Sequence, residues 1–310
     1  MLSTPSSSPI RRLGWAAKGS LAGLLLGLNV LVVFLSMLPP ALLKLSIPKP
    51  APRRLANRIL NAQAEVWIAM NNAWIALVGN RHWADATLPV LQRKGSYLVV
   101  CNHQSWVDIF ILQRLFFRQI PFLKFFLKRE LLYVPVIGLA WWALDFPFLR
   151  RQANATGMEK DLRAARKACE RFRDLPVSLV SFVEGTRFSE AKHKVQRSPY
   201  RHLLKPKLGA FGMSLATLGD RFDMLIDVTI AYPQGVPSLW DLMAGKVKNV
   251  AISVRVLEIP GTLTDAATIG RKDWHVGLGG WMRSLWREKD AILSQSLDAP
   301  EQRLISEKTN

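Results

Sequence analysis

Cysteine is almost absent from this chain: Cys101 and Cys169 stand alone in 310 residues, without a CxxC spacing, which excludes a disulfide framework and gives no structural zinc site. Such sparing use fits a reducing, cytosol-facing compartment. Histidine is scarce as well. His82, His193, His202 and His275 show neither HExxH nor His/Cys ligand spacing, so no metal is expected and all four read as structural or surface residues. Acidic residues are outnumbered, 23 Asp and Glu against 42 Lys and Arg, for a formal charge of +19. A surface of that sign attracts polyanions, whether nucleic acid, acidic lipid or a phosphorylated cofactor, and charge alone does not choose among them. Disorder is excluded by the 49% hydrophobic residues and the 11 tryptophans. No internal repeat or low-complexity tract occurs.

Charge is also missing from Leu21 to Leu38, where Asn29 and Ser36 are the clear polar interruptions, and the run reads as a membrane helix. A cleaved signal peptide is the rival. It is disfavoured because the apolar stretch continues through Ala41, Leu42 and Leu43 without a small-residue cleavage site. Arg11, Arg12 and Lys18 precede the run, and Lys44, Lys49, Arg53, Arg54 and Arg58 follow it. That excess favours a cytoplasmic catalytic domain, although a helix re-entering one leaflet would serve equally. The expected location is a membrane, read as a bacterial inner membrane. The Pro-rich segment Pro39 to Pro52 is expected to break the helix. A second helix over Ala56 to Val78 carries Leu60, Val66, Trp67, Met70, Trp74 and Leu77 near helical spacing, which suits either the membrane interface or an ordinary core face.

Further on, short apolar runs alternate with helical stretches. Strands are predicted near 97–101, 144–149, 177–183, 226–232 and 250–256, and the clearest helix covers Ala155 to Arg173, with Met158, Leu162, Ala165, Ala168, Cys169 and Phe172 on one face. This order makes an α/β domain. The expected organisation is a basic segment 1–17, membrane or interfacial helices 18–80, the catalytic domain 81–293 and a polar, mobile tail 294–310.

Two motifs carry chemistry. The first runs from Tyr97 through Leu98, Val99, Val100, Cys101, Asn102 and His103 to Asp108: a buried strand that delivers His103 at its carboxyl end, where open α/β sheets place their ligands. Histidine with an aspartate five residues on reads as a general base with an orienting acid. The second, Phe182-Val183-Glu184-Gly185-Thr186-Arg187, follows another apolar run and converges on the first. Gly185 lets backbone approach a ligand, and the Arg187 fork suits two phosphate oxygens.

These blocks, in this order and 81 residues apart from His103 to Glu184, resemble the PlsC-type glycerolipid acyltransferases, typified by the 1-acylglycerol-3-phosphate acyltransferases. The first block of that family, Asn-His, four residues, Asp, is met by Asn102, His103 and Asp108. The third, Phe-Pro-Glu-Gly-Thr-Arg, is met by Phe182 to Arg187. Arg151 matches the second-block arginine, Lys124 resembles a lysine that holds the acceptor phosphate, and Val228 to Pro233 resembles the closing strand. Val183 in place of proline, Arg150 in place of an acidic residue, and Phe188 completing Phe-Val-Glu-Gly-Thr-Arg-Phe match a subgroup whose acceptors are less settled. The resemblance covers Tyr97 to Pro233. It implies a glycerolipid acyltransferase domain, a central sheet flanked by helices behind an N-terminal membrane helix.

The activity so implied is transfer of an acyl group from acyl-CoA or acyl carrier protein to 1-acyl-sn-glycerol 3-phosphate or another lysophospholipid, without cofactor or metal. His103 would be the base and Asp108 its orienting partner. Arg187, Lys124 and Arg151 would bind the acceptor phosphate, Gly185 and Thr186 would complete the binding turn, and Glu184 would position the glycerol or Arg187. Transfer is expected to be direct, since Cys101 alternates into the core and neither cysteine has a nucleophile's setting. Two other classes remain as alternatives. A membrane-tethered nucleic-acid-binding protein accounts for the charge but not for His103 and Glu184, and no RNP-like, zinc-finger or KH pattern occurs. A thioester hydrolase would use the same pair to activate water.

Overall fold

The computed structural model describes residues 9–47, 49–79, 88–134, 137–149, 166–167, 169–170, 172 and 176–309, with residues 149 and 299–309 described by backbone alone. It opens with a helical hairpin, α1 (Pro9–Ser46) against α2 (Pro50–Leu77). The break expected at Pro39 does not occur: α1 runs through Pro39 and Pro40 to Ser46, and a proline instead opens α2. Pro40 has no N–H for the Ser36 carbonyl one turn back, but Gln63 of α2 donates its side-chain amide to that oxygen at 2.6 Å. Across the hairpin the Asn29 amide donates to Asn71 at 2.8 Å and the Trp74 indole to the Ala22 carbonyl at 2.9 Å.

The second helix divides the apolar positions marked in its sequence: Leu60 and Trp74 are buried and Trp67 packs against the core. Ala56, Ala64, Ile68, Asn71 and Ile75 are buried beside them, whereas Val66, Met70 and Leu77 point outward. On α1, Leu21, Leu24, Leu28, Leu31, Leu35 and Leu42 are also exposed. The hairpin therefore carries a long apolar outer face.

The rest of the described chain is built on a five-stranded sheet of β1 (Tyr97–Cys101), β2 (Leu123–Phe125), β5 (Ser178–Ser181), β6 (Met224–Ala231) and β7 (Ala251–Leu257), in the order β2-β5-β1-β6-β7. Pairings are parallel except that β7 runs antiparallel to β6. The run at 144–149 does not join the five-stranded sheet. Asp145 turns in the left-handed region, and Phe148–Leu149 (β4) pairs with Leu127–Lys128 (β3) in a separate two-stranded ribbon. The expected helix over 155–173 lies largely outside the described residues, although residues 166–167 and 169–170 are helical.

β1 is buried at all five positions because both of its faces are covered. Tyr97, Val99 and Cys101 pack with the hairpin and α3 (Val107–Leu115), and Leu98 and Val100 pack with Phe211, Leu215 and Leu218 of the Leu208–Leu218 helix and with Trp274, Met282 and Trp286 of the last helix, Lys272–Thr309. That last helix continues through the polar tail. It also drives Lys289 into the sheet, fully buried, 2.6 Å from Asp227, which Arg255 holds from the other side at 2.6 Å. A buried charge is tolerated there because every member of the group is paired.

Candidate active site

His103 leaves the carboxyl end of β1 and is met by Asp108 from the first turn of α3, Nδ1 to Oδ2 at 2.8 Å. The five-residue spacing works because the intervening loop folds onto the carboxylate: the amides of Gln104 and Ser105 donate to the same Oδ2 at 2.7 and 2.9 Å. The other oxygen accepts the Tyr232 hydroxyl at 2.5 Å. Asp108 is 1% exposed, and both of its oxygens accept from protein donors. With a carboxylate on Nδ1, the neutral imidazole keeps its proton there and leaves Nε2 as the acceptor. Phe182 stacks on the ring at 4.0 Å and 16°, and Phe125 of β2 stacks on Phe182 in turn at 5.8 Å.

Tyr232 is the residue that sequence reading missed. It lay in the closing strand of the resemblance, but only the fold shows that its hydroxyl reaches Asp108. Burial, then the Asp108 charge, push that hydroxyl well above the ordinary tyrosine range, so it stays protonated and donates. Tyr232→Phe is expected to lower kcat about fivefold to tenfold with little change in KM, because it removes one hydrogen bond that orients the aspartate and leaves the pocket's shape intact. Steady-state kinetics of the two proteins check this.

Asn102 is a clamp. Its amide donates to the Ile230 carbonyl at 2.8 Å and its oxygen accepts the Ile230 N–H at 2.9 Å, so the side chain pairs with β6 as a further peptide unit would. Ser105 donates to the Pro237 carbonyl at 2.5 Å. The histidine loop is thereby fixed to the segment following β6.

The second motif follows β5, the parallel neighbour of β1, and the two strand ends meet. Glu184 is fully buried, its oxygens accepting the backbone amides of His103 at 2.9 Å and Leu204 at 2.9 Å. Phe188 N–H closes the link by donating to the His103 carbonyl at 2.7 Å. This corrects the expectation that Glu184 positions the glycerol or Arg187: both oxygens are committed to the backbone. Burial pushes its carboxyl up to about 8 against the opposing pull of the two amides. Gly185 has φ of +70°, a left-handed backbone that favours glycine, and the Lys207 side chain lies close to it. Thr186 accepts a hydrogen bond from Lys192 at 2.9 Å, and the exposed Arg187 guanidinium lies 5.3 Å over the Trp106 ring beside the histidine loop.

The remaining expected residues separate from this cluster. Lys124 pairs at the level of Leu98, about 10 Å of strand before the end of β1 at Cys101, at roughly 3.3 Å per residue. Its ammonium donates to the Leu144 carbonyl at 2.5 Å among Phe122, Phe146 and Phe172. Arg151 lies outside the described residues. The ribbon, however, sets Lys128 in register with Leu149, two residues before Arg151. Lys128 is exposed there, in the same basic stretch from which Lys124 was chosen. Cys101 and Cys169 are both buried, and burial raises both thiols, Cys169 to about 12, so neither is a poised nucleophile. Among the described residues no group of three or more His, Cys, Asp and Glu is placed to hold a metal ion.

The acyltransferase family model matches residues 86–232, a span that includes His103, Asp108, Glu184, Arg187 and Tyr232. Residues 86–232 belong to the acyltransferase family. The chain is 28% identical over 217 residues to mouse (Mus musculus) 1-acyl-sn-glycerol-3-phosphate acyltransferase gamma, covering 64% of this chain and 53% of that protein. It is 26% identical over 271 residues to Arabidopsis thaliana 1-acyl-sn-glycerol-3-phosphate acyltransferase 3, covering 80% and 67%. The chain spans about half the length of the mammalian relatives it matches. Among solved structures it is similar to the 1-acyl-sn-glycerophosphate acyltransferase PlsC of Thermotoga maritima, with a TM-score of 0.46, 15% identity, and coverage of 87% of this chain and 98% of that one.

Proposed function

We propose that this acyltransferase moves a fatty acyl group from an acyl thioester, acyl-CoA or acyl carrier protein, to the free hydroxyl of 1-acyl-sn-glycerol 3-phosphate, giving phosphatidic acid. The observation that carries this reading is the His103–Asp108 pair at 2.8 Å, tied through the His103 backbone to the turn that presents Arg187. The names of the relatives support the choice of acceptor.

The thioester is already activated, so the protein has to move a proton and orient the acceptor. Nε2 of His103 takes the proton of the acceptor hydroxyl as its oxygen attacks the thioester carbonyl. Asp108 stabilises the imidazolium that forms. Collapse of the tetrahedral intermediate breaks the C–S bond, and the proton passes from His103 to the departing thiolate. Arg187, exposed at the mouth of the turn and held over Trp106, is the cation for the acceptor phosphate, with Lys192 and Lys207 on either side of the same turn. Lys128, exposed on the ribbon, and Arg151 are proposed to add charge in place of Lys124.

Arg187→Ala should raise KM for 1-acyl-sn-glycerol 3-phosphate at least tenfold while sparing an uncharged acceptor such as monoacylglycerol, since one charge-assisted contact is worth about 1.5–3 kcal/mol. Equal losses on both acceptors would remove Arg187 from the phosphate. Phosphatidic acid formed by reconstituted protein tests the acceptor directly. Conversion of other lysophospholipids alone would move the assignment to them.

The hairpin is proposed to lie in one leaflet on the side of the membrane that holds the catalytic domain. α1 touches that domain near both ends: Trp240 packs at Gly19 and Met243 at Gly23, while Lys44 donates to the Ala143 carbonyl at 2.8 Å and pairs with Asp145 at 2.5 Å. From Gly19 to Lys44 is about 37 Å of helix at 1.5 Å per residue, longer than the roughly 30 Å hydrocarbon core. A helix held to one water-facing body over that length runs along the membrane rather than through it, and its exposed leucines supply the buried face.

A further inference from the structure

A cavity of about 650 Å³ lies at the edge of the sheet, toward the amino ends of its strands and away from His103. Arg53, Asn57, Asn61 and Glu65 of α2, a stripe at helical four-residue steps, form one wall. Arg93, Lys124, Asp145 and Lys167 approach it from the domain.

Its charges do not cancel. Glu65 is taken by Arg93 in a two-pronged pair at 2.8 and 3.0 Å, and Asp145 by Lys44 at 2.5 Å. Among the described residues Arg53, Lys124 and Lys167 have no carboxylate at ion-pair distance. Lys124 is the notable one. It is held against the Leu144 carbonyl and three phenylalanine rings, and its burial lowers the ammonium to about 8. A cation kept in that position with two more cations and two carboxamides facing the same space makes a receptor for an anion with several oxygens.

We propose that this cavity is a second, non-catalytic anion site that holds a phosphate-bearing ligand, separate from the acceptor held at His103 and Arg187. Two sources supply that chemistry at this place: the nucleotide end of a coenzyme A thioester, and the headgroup of an anionic phospholipid beside the hairpin. The site does not depend on the acyl-transfer reading, because the charges and the cavity stand apart from the histidine loop.

The test is equilibrium binding to the full-length protein in two arms, with fluorescently labelled adenosine 3′,5′-bisphosphate and with phosphatidylglycerol nanodiscs measured against phosphatidylcholine nanodiscs. Each arm compares wild type with the exposed-surface double variant Arg53→Gln/Lys167→Gln, with Lys124→Met, and with Arg187→Gln. Loss of about tenfold in affinity in the double variant, retained binding in Arg187→Gln, is the expected result, corresponding to one charge-assisted contact. The arm that responds names the source. Because Lys124 is packed and its variant is at risk of misfolding, the double variant decides. Unchanged affinity in the double variant in both arms, or loss only in Arg187→Gln, would overturn the proposal.

Discussion

Replacing His103 with alanine is expected to lower acyl transfer about 10³-fold, the usual contribution of a positioned general base, while the protein still folds and still floats with liposomes. The fold survives because the ring carries little of it. Asp108 retains the Gln104 and Ser105 amides and the Tyr232 hydroxyl, and the His103 backbone still meets Glu184 and Phe188. The imidazole itself is packed mainly against Phe182. Circular dichroism and flotation should therefore match the wild type while turnover does not. Residual activity within tenfold of wild type would mean that the acceptor hydroxyl loses its proton elsewhere.

Glu184→Ala should be nearly as damaging for a different reason. It leaves the buried amides of His103 and Leu204 without acceptors, at about 1–3 kcal/mol each, and frees the backbone that presents the histidine. A drop of several degrees in Tm and at least a hundredfold loss of turnover are expected together. Glu184→Gln keeps one acceptor and should be much milder. If the acid instead worked by pairing Arg187, both variants would lose its charge and behave alike.

The same carboxyl gives a pH signature. Its folded value, about 8, lies above its ordinary 4.5, so the native state holds the proton more tightly. The stability that Glu184 contributes is fully present below 4.5 and is lost as pH rises through about 8. Thermal unfolding between pH 5 and 9 should show this decline in wild type and a flatter profile in Glu184→Gln.

His103 and Asp108 were legible in the sequence because one short loop carries both, and a five-residue spacing is visible without a fold. Tyr232 was not, since 124 residues separate it from the aspartate it touches. Glu184 was legible as a residue and not as a role: the motif Phe182 to Arg187 does not show that the side chain is buried, and burial commits it to backbone amides. Lys124 was misplaced for a related reason. A three-residue strand inside an aromatic, basic stretch gives almost no period to read, so its level in the sheet became visible only from the pairing with β5. The helix through Pro39 and Pro40 shows the same limit, because the compensating donor, Gln63, belongs to another helix. The long apolar strands β1, β5 and β6 were read within two residues at most boundaries, as expected where both faces of a sheet are covered.

The most direct measurement is free-thiol release from oleoyl-CoA by lipid-reconstituted protein, with and without 1-oleoyl-glycerol 3-phosphate. Acyl transfer requires release that depends on the acceptor and matches phosphatidic acid formed one for one. Release at the same rate without acceptor, and no phosphatidic acid with it, would contradict the assignment and make the His103–Asp108 pair a device for activating water.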